Sequence, residues 1–155
     1  MKHKLILLLG LFFLFSAFTS DKPKITIFMI GDSTMSNKSL TGGNPERGWG
    51  HVLPGFFSED IIVDNHAQNG RSSKSFIDEG RWDKVLALIK KGDYVFIQFG
   101  HNDEKPKADR HTDPGTTFDA NLRKFVNETR EKGGIPVLFN SIVRRNFGVA
   151  DDKVV

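Results

Sequence analysis

The sequence predicts an α/β protein: a doubly wound parallel sheet with helices on both faces. Three observations predict it. Short, β-branched, almost wholly apolar runs recur at 25–30, 60–65, 93–99 and 135–140, as strands buried on both faces do. Stretches with helical periodicity separate the later runs, and alternation of strand and helix favours parallel pairing through right-handed crossovers. Finally, a polar cluster follows each of the first three runs, at the edge where open α/β sheets keep their sites.

In chain order, the first element is a leader. Lys2, His3 and Lys4 precede a nearly unbroken apolar run from Leu5 to Phe18. That run is short for a bilayer span and suits a signal-peptide core. Residues 1–20 are therefore expected to be a signal peptide cleaved near Ser20, with one domain over 21–155, no lasting membrane anchor, and a secreted or periplasmic location. "ITIFMI" (25–30) is the first strand and "DIIVDN" (60–65) the second. In "RWDKVLALIKK", Trp82, Val85, Leu86 and Ile89 share one helical face. "DYVFIQF" (93–99) is the third strand, and a long polar loop runs from Gly100 to Gly115. A second helix follows, with Phe118, Leu122, Phe125 and Val126 inward, Thr116 as N-cap with Asp119 three residues on, and Gly133 as the stop. "IPVLFN" (135–140) is the fourth strand, and the pattern breaks off after it, leaving that strand as a candidate edge with little to cover it. The fold is expected to be truncated there.

Composition excludes several classes. The chain has no cysteine, so a disulfide framework, a thiolate metal site, a cysteine nucleophile and a lipid-modified cysteine are all ruled out. Of 22 basic residues the leader takes two, and of 19 acidic residues none, leaving a net charge of +1. With no basic stripe, nucleic acid is not an expected partner. The sequence is silent on oligomeric state.

The three polar clusters are "GDST" (31–34), "NHAQNGRSSKSF" (65–76) and "FGHNDEKP" (99–106). Gly-Asp-Ser is good turn chemistry in its own right. At the carboxyl edge of a parallel sheet, however, the three clusters converge, and acyl transfer needs what they carry: a hydroxyl nucleophile and donors aimed at the developing oxyanion. Ser33 offers a hydroxyl and a backbone N–H, Gly70 an N–H unshielded by a side chain, and Asn102 an amide.

With these blocks in order, the sequence resembles the SGNH (GDSL-type) hydrolases, and within them the rhamnogalacturonan acetylesterases. "IGDSTMS", "NGRSSKSF" and "FGHND" resemble their first three blocks; "ERGWGHVLP" and "IVRRNF" match neighbouring context. The resemblance runs from about Ile27 to Phe147. It implies a flavodoxin-like SGNH fold, with Ser33 as nucleophile, Gly70 and Asn102 as oxyanion-hole partners, no cofactor, and an acetylated pectic polysaccharide as substrate. It also implies a histidine base with an aspartate three residues before it, near the family's carboxyl terminus. No Asp-x-x-His occurs in this sequence.

His101, beside Asn102, more readily shapes the site than replaces the base; His51, His66 and His111 read as structural or solvated. A metal drawn from Asp64, His66, His101 and Asp103 lacks helical ligand spacing, so no metal is expected. "NGRSSKS" lacks the glycine run of a phosphate loop. Arg71 and Arg144 are candidate contacts for galacturonate carboxylates, His101 a third substrate contact, and Arg145 a solvated residue. Trp49 is a candidate sugar platform, Trp82 a core residue, and Asn127-Glu128-Thr129 a formal glycosylation sequon on a helix. Two rival functions stay open: another esterase or lipase of the same superfamily, and a non-catalytic, truncated carbohydrate-binding remnant.

Overall fold

The computed structural model describes residues 24–142. Four strands, β1 (Ile25–Gly31), β2 (Ile61–Asn65), β3 (Tyr94–Gln98) and β4 (Ile135–Leu138), form one sheet in the order β2-β1-β3-β4. Every pairing is parallel, with Ile27 opposite both Val63 and Tyr94 and with Tyr94 opposite Ile135. The chain goes from β1 to one side for β2 and returns to the other side for β3. The topological switch therefore falls at the carboxyl ends of β1 and β3, where the Ser33 and Asn102 loops begin.

The pleat sorts β1 between two cores. Phe28 and Ile30 face one layer with Val95 and Ile97 of β3. Helices α2 (Ser73–Asp78), α3 (Arg81–Leu86) and α4 (Thr117–Glu131) cover that layer with Phe76, Trp82, Val85 and Phe125. Ile27 and Met29 face the other layer with Met35 and Ala67. There the cover is lighter: the one-turn helix α1 (Trp49–Val52) and a 3₁₀ turn, Leu53–Phe56. So both faces carry helix, unequally.

Trp82 is fully buried, edge-on to Phe125 with ring centroids 5.0 Å apart, and its indole N–H bonds Glu128 Oε2. Trp82→Ala should cost about 3–5 kcal/mol through the cavity it leaves, read as a lowered urea midpoint. A midpoint unchanged from the parent would show that this layer does not depend on Trp82.

Local details depart from the sequence reading. The helix at 81 ends at Leu86 rather than running on, yet Ile89 is still buried. Thr116 occupies the N-cap position of α4 without a side-chain capping bond. Instead the Asp113 N–H donates to Thr117 Oγ1 at 2.7 Å, and Asp119 accepts from the Gly115 N–H. Gly133 stops α4 as expected, with φ of 76°. Among the described residues β4 pairs only with β3, and Leu138 on it is 53% exposed. Among the described residues no helix is long and apolar enough to cross a membrane. Residues 1–20, expected to be a signal peptide, and the stretch holding Arg144, Arg145 and Phe147 lie outside the described residues.

Candidate active site

β1 ends on Gly31 because the sheet leaves no room for a larger residue: a Cβ there would lie 2.7 Å from the Gln98 carbonyl oxygen. The turn that follows is built by Asp32, which is 1% exposed. Its Oδ1 accepts from the Thr34 N–H and hydroxyl, both at 2.8 Å, an aspartate bonding the backbone two residues on. The Met35 and Ser36 N–H groups close back on the Asp32 carbonyl. Asp32 is thus a turn former, as the sequence suggested. Ser33 is left half-buried at the tip, and among the described residues nothing hydrogen-bonds its hydroxyl.

The second loop is stitched to the first. The Gln68 N–H donates to Gly31 O at 2.9 Å. Asn69 Oδ1 accepts from Ser36 Oγ at 2.6 Å and Lys38 Nζ at 2.7 Å. Gly70 has φ of 74°, a left-handed conformation that favours glycine. Ser72 and Ser75 then form a reciprocal capping box that starts α2.

The third loop closes the set. Asn102, 1% exposed, donates from Nδ2 to Arg71 O at 3.1 Å and accepts at Oδ1 from Lys105 Nζ at 2.7 Å. The loops carrying Ser33, Gly70 and Asn102 are therefore joined by direct bonds at one edge of the sheet. Gln98 braces the floor: its Oε1 accepts from Thr34 Oγ1 and from the Trp49 indole at 2.7 Å.

Asp103 anchors this third loop. Its buried carboxylate accepts from the Ser73 N–H and hydroxyl, the Gly100 N–H and the Thr112 hydroxyl. Burial pushes the Asp103 carboxyl above its ordinary value, while the bonds from Ser73, Thr112 and Gly100 pull it down. With a raised folded pKa, the folded chain holds this proton more tightly than the unfolded one. The stability it contributes is full below the ordinary 3.8 and is lost as pH rises through the raised value. Asp103→Asn should remove that slope. It should also lower stability near neutral pH by about 1–3 kcal/mol, since an amide nitrogen cannot accept from these donors. Urea midpoints measured across acid and neutral pH check both; superimposable curves would refute the assignment.

Arg71 shares the second loop with Gly70, its carbonyl accepting from Asn102 Nδ2. The Arg71 guanidinium is committed: Nε donates to both Glu79 oxygens at 3.1 Å, and Nη1 to Asn69 O. The Glu79 carboxyl, bonded by Arg81 and Arg71 against a counteracting burial, lies below its ordinary value. His101 is half-buried next to Asn102. His51 Nδ1 accepts from the Lys38 N–H, His66 Nε2 lies 3.0 Å from Asp64, and His111 faces Asp113. Trp49 packs its ring against Phe139, with centroids 5.1 Å apart, while its indole N–H bonds Gln98 Oε1. Asp103, read from sequence only as a possible ligand, is saturated by donors. No cluster of three or more His, Asp or Glu among the described residues could hold a metal ion.

Sequence reasoning missed Asn69, Lys105 and Arg110. The Arg110 guanidinium lies 3.4 Å from where a Gly70 Cβ would stand, and only the shared loop position hinted at it. A cavity of about 660 Å³ opens between Phe99, Thr112, Phe118, Leu122 and Leu138. Asp103 lines it; Ser33, Gly70 and Asn102 do not.

Comparison with known proteins agrees with this geometry. The model of the GDSL-like Lipase/Acylhydrolase family matches residues 29–153, and the chain belongs to that family. It is 45% identical over 126 residues to the rhamnogalacturonan acetylesterase RhgT of Bacillus subtilis, covering 81% of this chain and 53% of that protein. It is 38% identical over 122 residues to the probable rhamnogalacturonan acetylesterase YesY of the same organism, covering 78% and 55%. The chain thus spans about half the length of these relatives. The crystal structure of the B. subtilis YxiM protein superposes with a TM-score of 0.71 at 29% identity, covering 81% of this chain and 35% of that one. The fold is that of the SGNH hydrolases.

Proposed function

We propose that this chain belongs to an exported carbohydrate esterase that removes acetyl groups from pectic polysaccharide, rhamnogalacturonan first among them. The observation that carries the reading is the joining of three loops at one sheet edge, with an uncommitted Ser33 hydroxyl at the tip of the first. The printed names of the relatives support the substrate class, and the apolar leader at 1–20 supports export.

In the proposed reaction Ser33 Oγ attacks the acetyl carbonyl and gives its proton to a histidine base. The resemblance implies that base in an Asp-x-x-His block, a pattern not found in residues 1–155. The tetrahedral oxyanion is held by the Ser33 and Gly70 N–H groups and the Asn102 amide. The sugar hydroxyl leaves with the proton, and water then releases acetate from the acetyl-enzyme. Acetate release by the intact protein from acetylated rhamnogalacturonan, acetyl-xylan, and short- and long-chain synthetic esters tests it. Preference for the pectic polymer supports the reading, and preference for long-chain esters would move it to a lipase.

The second reading, a carbohydrate-binding remnant, is favoured by one observation: among the described residues no histidine bonds the Ser33 hydroxyl. Pectin binding by a cooperatively folded intact protein that releases no acetate would select it.

A further inference from the structure

We propose that Lys105 is a positioning residue for the oxyanion site, fixing the Asn102 amide so that one Nδ2 hydrogen is reserved for the oxyanion; this rests on the esterase reading above. Lys105 Nζ donates to Asn102 Oδ1 at 2.7 Å, and Asn102 Nδ2 donates to Arg71 O at 3.1 Å. An ammonium can only donate and a backbone carbonyl can only accept, so these two partners admit a single orientation of the amide. A flipped amide would set its nitrogen against the ammonium and its oxygen against the carbonyl. In a side chain 1% exposed, neither group could turn to water instead.

The hydrogen count then follows. Nδ2 carries two hydrogens. One is used on Arg71 O, and the other has no partner among the described residues. Arg71 follows Gly70 directly, so the same bond sets the Asn102 amide and the Gly70 N–H in one frame. The backbone brings Lys105 to its place: the Glu104 N–H donates to Gly100 O and the Lys105 N–H to Asn102 O, closing a tight turn. Asp103 holds the backbone of that turn to Ser73, and Lys105 holds the side chain. A cation on Oδ1 also polarises the amide and makes its remaining N–H a stronger donor.

The test compares Lys105→Met and Lys105→Arg in the intact protein, alone and in an Asn102→Ala background. Lys105→Met should lower kcat for acetate release about tenfold with KM little changed. Lys105→Arg, still a donor cation, should recover most of the loss. In the Asn102→Ala background Lys105→Met should change kcat less than about twofold, since its effect passes through Asn102. The ¹⁵N–¹H signals of the Asn102 side-chain amide give a readout that needs no turnover. They should shift and broaden in Lys105→Met and return in Lys105→Arg. An unshifted amide signal, an unchanged kcat, or a tenfold loss that persists without Asn102 would each overturn the proposal. Failure of the esterase reading looks different: no acetate release by the parent protein, or undiminished release by Ser33→Ala, while the amide signals still report on the tether.

Discussion

Ser33→Ala is expected to lower acetate release by the intact protein by about 10⁴–10⁶-fold, down to what binding and an oxyanion hole supply alone. The size follows from its chemistry: without Oγ no acetyl-enzyme forms, and the remaining donors face a carbonyl that nothing attacks. The loss should come with almost no change in stability. Ser33 is half-buried, its side chain makes no hydrogen bond among the described residues, and the turn around it is held by Asp32. Such a substitution usually stays within about 0.5 kcal/mol of the parent. Steady-state rates and a thermal midpoint on the same preparation check both halves. Retained turnover would remove Ser33 from the mechanism, and a collapsed midpoint would make it a structural residue.

Asn102→Ala should cost about 10²–10³ in kcat, the usual worth of one oxyanion donor. Here a stability cost accompanies the kinetic one. Truncation strips Arg71 O and Lys105 Nζ of their partner; of the two, the part-buried carbonyl matters more, at about 1 kcal/mol. The kinetic loss should appear in kcat rather than KM, because the amide serves the tetrahedral oxygen more than the ground-state carbonyl. A variant with unchanged kcat and a lowered midpoint would make Asn102 a loop brace only.

Much of the fold was legible in the sequence because buried parallel strands leave a simple trace. The four apolar runs match β1 to β4 to within one or two residues at each end; burial on both faces holds for the central strands β1 and β3, whereas Ile62 of β2 and Leu138 of β4 are 45% and 53% exposed. Helix α2 was not legible. Its six residues carry only Phe76 and Ile77 as apolar groups, too few to show a 3.6-residue period. Its real signal is the pairing of Ser72 with Ser75, which starts a helix by satisfying two backbone donors rather than by hydrophobic patterning.

The meeting of three loops was legible, because each polar cluster follows a strand of a parallel sheet, as for those holding Ser33, Gly70 and Asn102. The site was illegible where the partner comes from another loop. Arg71 looked like a free guanidinium, but the turn into α2 and on to Glu79 supplies a carboxylate eight positions away. Asp103 looked like a candidate ligand, but its four donors come from Ser73, Gly100 and Thr112 on separate segments. Trp49 was read as a candidate sugar platform, and its contacts with Gln98 and Phe139 left no sequence signal. None of these contacts has a fixed spacing, and those of Asp103 with Ser73 and of Trp49 with Gln98 depend on the sheet bringing distant segments together.

The most direct test of the account is covalent trapping. The intact protein, incubated with a reactive ethylphosphonate ester, should gain one phosphonyl group. Tandem mass spectrometry should place it on Ser33, and acetate release should fall in step with labelling. Ser33→Ala should take up no label. An adduct on another residue, or full labelling of the Ser33→Ala protein, would contradict the claim that this serine is the nucleophile.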